Sequence, residues 1–144
     1  MSAGPQETVC TVIPGLRYRD ANAAIAWLER AFGFQRRMVV PGENNTVLHA
    51  ELVFGNGMVM LGSVRDDDFG KLVRSPQQLS GANTSSVYVV VQDADAHYAR
   101  AKAAGAEIEM DIHDEHYGGR GYCCRDLEGH LWYFGTFDPW AQPA

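Results

Sequence analysis

His49 and Glu51 stand two apart in "VLHAELVF", so in an extended strand both side chains leave the same face. A histidine beside a carboxylate can hold a proton near neutral pH, which is what acid–base catalysis needs. A plain hydrogen-bonded pair at a sheet edge or dimer surface uses the same two residues, and that reading is favoured over a ligand-facing role. A second cluster, "HDEHYGGR" from His113 to Arg120, gathers two histidines and two acids. Its glycines and its place between strands favour a solvated loop over a metal site. Tyr117 and Arg120 in that loop suit the mouth of a binding site. Arg120 or Arg17 suits an anionic substituent on a ligand, with a surface role as the competing reading. Cys124 shares a face with Tyr122, and nothing in the sequence activates its thiol. There is no glycine-rich phosphate loop and no nucleophile elbow.

The elements that position these residues come as a repeat. "LRYRDANAAIAWLERAFGF" aligns with "VVVQDADAHYARAKAAGAE", so that Asp20 meets Asp93, Ala21 meets Ala94 and Ala31 meets Ala104. Each copy reads as a strand, an Asp cap, an alanine-rich helix and a glycine stop at Gly33 or Gly105. Ile25, Leu28 and Phe32 recur at helical spacing and predict one buried stripe. Hairpins follow in both copies, around Gly55-Asn56 and around Asp126 to Gly129. The predicted organisation is a single domain over 1–144, with βαβββ modules at about 9–63 and 84–138 and a linker over 64–83. That linker is long and polar; it reads equally as a cover over a site and as a plain surface connection.

Bulk properties narrow the partners. The 144 residues are 46% hydrophobic and carry a net charge of −6. This acidity speaks against nucleic acid and against an anionic membrane surface. The opening "MSAGPQETVC" has no apolar leader, and no run is long enough to span a bilayer. Cys10, Cys123 and Cys124 form no disulfide framework and no zinc spacing. A cytoplasmic protein with reduced thiols is expected.

With these modules, the "RDA" and "QDADA" helix starts and the turn in "RGYCCRDLEGHLWYFGTFDPW", the chain resembles the vicinal oxygen chelate superfamily. That group holds glyoxalases, bleomycin-resistance proteins and extradiol dioxygenases, and the likeness runs from Val9 to Phe137. It implies an α+β fold in which a curved, eight-stranded mixed sheet surrounds a cleft with the helices outside. It also implies a homodimer. Family enzymes hold a divalent metal through inward His, Gln or Glu side chains, and the matching positions here are Ile13, Met60, Ser86 and Tyr133. Such a set is poor in the N and O donors a divalent cation needs. No metal and no cofactor are therefore expected.

Strand alternation then sorts the faces. Leu131, Tyr133 and Phe137 should face the cleft, while Trp132 and Phe134 pack under the helices. Ser86 and Tyr88 face inward, as do Arg17, Met58 and Met60. In "VLHAELVF", Leu48, Ala50, Leu52 and Phe54 form the core stripe. The expected pocket is apolar, lined by Tyr88, Met58, Met60, Tyr133, Leu131 and Phe137. The function expected is metal-free binding or sequestration of a small organic compound, aromatic ones included. The alternative is a lyase, isomerase or dioxygenase with a displaced metal site, or acid–base catalysis by His49 and Glu51.

Overall fold

Each module starts its helix on an aspartate. α1 (Ala21–Phe32) follows Asp20, whose carboxylate accepts the Ala23 amide at 3.1 Å; α2 (Ala94–Ala103) follows Asp93, which accepts the Ala96 amide at 3.0 Å. Gly33 closes α1 at φ +86°, and the chain leaves α2 through Gly105 at φ +95°. Both conformations strain any residue with a Cβ. The computed structural model describes residues 7–143. The opening segment, expected to carry no leader, lies largely outside them. Among the described residues no helix is long and apolar enough to cross a membrane.

The strands are β1 (Gly15–Tyr18), β2 (Gln35–Pro41), β3 (Val47–Phe54), β4 (Gly57–Ser63), β5 (Val87–Val90), β6 (Glu107–Asp114), β7 (Arg120–Arg125) and β8 (Leu131–Gly135). The class is α+β, built from the two expected βαβββ modules. The eight strands are bonded as two four-stranded mixed sheets, β1-β4-β3-β2 and β5-β8-β7-β6. Repeat positions occupy matching places. Gly15 lies opposite Met60 in the first parallel pair, and Tyr88 lies opposite Tyr133 in the second. The outer pairs β2–β3 and β6–β7 both carry register shifts, which bend and twist a sheet.

One bulge moves residues between faces. Val40 pairs with His49 and Pro41 with Val47, so Leu48 is the extra residue. Val47 therefore enters the core, and Leu48, expected in the core stripe, is 46% exposed. Ala50 and Leu52 are buried as expected. A bulge adds one residue to one strand, and alternation with a period of two then reverses on one side of it.

The helices cover the faces away from Met60 and Tyr133. α1 does more than roof its own sheet, because Phe32 packs on Trp132 and Phe134 of the other module, with ring centroids 5.3 and 4.6 Å apart. Trp27 Nε1 donates to the Ala104 carbonyl at 2.8 Å, and Arg100 Nε to that of Arg30 at 2.8 Å. The second hairpin turn adds a polar strut. Glu128 accepts the amides of Arg19 and Asp20 at 2.6 and 2.8 Å, just before α1. Asp126 is buried and accepts from Tyr18 Oη, Trp132 Nε1 and the amides of Glu128 and His130. The "RDLEGH" turn thus ties the second module to the first.

Candidate functional site

The open face of the first sheet carries Arg17, Met60, His49 and Glu51. His49 Nε2 lies 2.9 Å from Glu51 Oε2, and Arg37 Nη1 lies 2.7 Å from Oε1 of the same carboxylate. The His49 hydrogen bond, then the one from Arg37, holds the Glu51 carboxyl below its usual range. A carboxylate stabilised by two donors is a weak base, so this pair is better built for holding than for proton abstraction. The linker settles over the same face. Phe69 lies over Arg17, whose guanidinium carbon is 5.0 Å from the ring centroid. Together with Arg65, Leu48 and Val73 they enclose a hollow of about 220 Å³. Gly62 makes room beneath, since a Cβ there would come 2.8 Å from Arg17 Nη1.

The second sheet presents a row across all four strands, Met110, Cys123, Tyr133 and Tyr88, in consecutive register. Tyr88 and Tyr133 stack with centroids 5.8 Å apart. Two facing glycines give them space: a Cβ on Gly135 would come 2.6 Å from Tyr88 Oη, and one on Gly121 would come 3.1 Å from Tyr133 Cε1. The hairpin beyond β6 is exposed at Asp114 and from His116 to Gly119, in keeping with a solvated loop, and only Glu115 turns back onto this row. Tyr133 Oη donates to Glu115, whose side chain is only 8% exposed, and His113 Nε2 lies 3.1 Å from Glu115 Oε1. Burial, then the bond to Glu115, pushes the Tyr133 phenol up.

Two histidines follow opposite electrostatic rules. His113 Nδ1 is 2.6 Å from the Asp111 carbonyl, which can only accept, and Nε2 faces a carboxylate. This setting favours the doubly protonated ring, and the Asp111 bond and then Glu115 raise its pKa above the ordinary 6.5. His97 instead sits against Phe134, 4.1 Å between centroids. Its Nε2 donates to the Phe32 carbonyl, so Nδ1 accepts from Tyr122 Oη, and burial lowers its pKa below 6.5. For His97 the unfolded chain binds the proton first, so its stabilising contribution is full above 6.5 and declines as pH falls below it. His113 contributes fully below 6.5, and its share is lost as pH rises through the raised value. Imidazole titration by NMR should place His97 below and His113 above the ordinary value; the reverse order would contradict both assignments.

The expected ligand residues are distributed over three hollows. Met60, Arg17 and His49 line the one under Phe69. Ser86 and Leu131 share an adjoining hollow of about 100 Å³ with Arg17 and the linker. Met58 and Tyr88 line a groove of about 690 Å³ between the sheets, with Phe34, Phe54 and Trp140. Tyr133 is held under the β6–β7 hairpin, and Tyr117 meets Phe137 edge-on at 4.9 Å. Arg120 is engaged elsewhere, with Asp95 at 2.9 Å and Asp114 at 3.1 Å. The site residues missed by the sequence reading are Phe69, Arg65, His113 and Glu115. His113 and Glu115, at i and i+2, carried a usable signal of a shared strand face.

The profile of the Glyoxalase/Bleomycin resistance protein/Dioxygenase superfamily matches residues 10–134. The chain belongs to that superfamily. The uncharacterized protein Mb0911c of Mycobacterium bovis is 31% identical over 122 residues, which cover 85% of this chain and 80% of that one. Among solved structures, TioX from Micromonospora sp. ML1 is similar with 36% identity, a TM-score of 0.68 and coverage of 88% of this chain and 94% of that one. FosX, a fosfomycin resistance protein from Listeria monocytogenes, is 15% identical, with a TM-score of 0.62 and coverage of 96% and 94%. At that identity the FosX likeness is one of fold.

The metal that superfamily enzymes hold can be tested against these residues. Ile13, Met60, Ser86 and Tyr133 offer a hydrocarbon, a thioether, a hydroxyl and a phenol. Divalent cations of this kind need imidazole and carboxylate donors. Among the described residues no three of His, Cys, Asp and Glu come together in a group that could hold a metal. The donor set does not fit the ion.

Proposed function

We propose that this superfamily member binds and sequesters a small organic molecule without a resident metal, as a homodimer in the cytoplasm. The observation that carries the reading is that Met60 and Ser86, at two positions where the resemblance implies metal donors, line hollows shared with Leu, Val and Phe side chains, while Tyr133 at a third is bonded to Glu115. Walls of Met, Leu, Phe and Tyr with a few fixed polar groups suit such a ligand. Half-exposed Tyr88, Val90 and Met110 on the open face of the second sheet support coverage by a second copy. Purified protein should contain far less than one metal per chain by elemental analysis, and should scatter light as a dimer. A thermal-shift screen of small organic compounds should raise its melting temperature, because a ligand of the native state alone stabilises that state. About one metal per chain, lost on replacing Glu115 or His113, would overturn the reading.

The Tyr133–Glu115–His113 cluster favours a second reading, an acid–base enzyme of lyase or isomerase type. Its carboxylate is the more buried of the two, with Glu115 8% exposed against 16% for Glu51. Turnover abolished by Glu115→Gln, with the fold intact, would select it.

A further inference from the structure

The geometry points to the hollow under Phe69 as a receptor for the carboxylate or other single anionic group of a small apolar molecule, with Arg17 as its counter-charge. This inference rests on the small-molecule reading above and names the chemical class of the ligand.

Of the two arginines that suit an anionic substituent, Arg120 is already spent on two carboxylates. Arg17 makes no ion pair among the described residues. The one polar contact of its side chain among the described residues is a long approach of Nη1 to the Ser63 carbonyl, 3.5 Å. Phe69 covers one face of the guanidinium, and Gly62 leaves backbone close to it. An arginine so placed is oriented before any ligand arrives, which reduces the ordering cost of a bidentate contact.

The other charges nearby strengthen the case. Arg65 lines the same hollow. Its Nε sits 3.2 Å from Asp67 Oδ2 yet is not aligned as a hydrogen bond, so a buried N–H is without an acceptor. Asp67 is the nearby acid, and it is shared with Arg65 and the Gly70 amide. Burial and the repulsion of Arg65 lower the proton affinity of Arg17, with Asp67 opposing. Two arginines line the hollow and no carboxylate does; Asp66 to Asp68, which follow Arg65 in the chain, are exposed, and of these only Asp67 acts on Arg17. Met60, Leu48 and Val73 supply apolar walls, and a volume of about 220 Å³ suits a one-ring or short-chain acid.

The test uses matched acids and amides: benzoate with benzamide, phenylacetate with phenylacetamide, and hexanoate with hexanamide. Calorimetry on the full chain should show the acids binding, the amides about 10- to 100-fold weaker, and acid affinity falling with added salt. Arg17→Met should weaken the acids by a similar factor and leave the amides unchanged, and Arg17→Lys should restore part of the loss. Melting curves without ligand show whether each variant is folded; the acid–amide and salt comparisons on the unaltered protein stand regardless. Acids and amides binding equally, indifferent to salt and to Arg17→Met, would overturn the anionic class and leave small-molecule binding intact. No binding by any of the six would overturn the inference at this hollow; a broader thermal-shift screen that also stayed silent would overturn the small-molecule reading itself.

Discussion

Trp132→Ala should lower the unfolding free energy by about 3–5 kcal/mol, the usual cost of deleting a buried aromatic. Trp132 is fully buried, touches Phe32 and Phe34, and its Nε1 donates to Asp126. Phe134→Ala should fall in the same range, because Phe134 is also fully buried and packs on Phe32, Tyr122 and His97. Tyr133, between them, points to the other face, half-buried against Tyr88 and Glu115. Tyr133→Ala should therefore cost clearly less. It removes one hydrogen bond and one stacking partner, and water can enter the space. Denaturant melts of the three variants check this. A Tyr133 variant as unstable as the Trp132 variant would mean that the open face of β8 belongs to the core.

Asp126→Ala should be nearly as damaging, at about 3–4 kcal/mol. The substitution leaves Tyr18 Oη, Trp132 Nε1 and two backbone amides without their acceptor in a buried place. Orphaned donors carry their full desolvation cost, and bonds to a charged acceptor are the stronger kind. Asp126→Asn keeps the shape but replaces one oxygen by a donor, so it can serve the amides or the two side chains, not both sets. It should lie between the alanine variant and the unaltered chain. Tyr18→Phe removes one donor and should cost about 1–2 kcal/mol. The double variant of Asp126→Ala with Tyr18→Phe should cost less than the two single losses together, since they share one bond. Strict additivity would show that the Tyr18–Asp126 bond contributes nothing.

Much of this molecule was determined by sequence alone, and those features are local. The Asp20 and Asp93 caps, the glycines after each helix, the turn at Gly55-Asn56 and the alternation of Trp132, Tyr133 and Phe134 each depend on residues within a turn or a strand. The repeat adds that both modules use one plan, which the registers Gly15–Met60 and Tyr88–Tyr133 reproduce. Tertiary structure decided the rest. Alternation alone places Leu48 in the core, and only pairing with β2 reveals the bulge that sends it outward. The linker has no period that points a side chain anywhere, and in "HDEHYGGR" the i, i+2 spacing of His113 and Glu115 gives a shared face but not what lies against it. Phe69 reaches Arg17, and Glu115 reaches Tyr133, because strands distant in sequence lie beneath them. Arg17 and Arg120 read alike as cations in the sequence. One was neutralised by Asp95 and Asp114 and the other left without a carboxylate, because charge pairing depends on distances that only the folded chain sets.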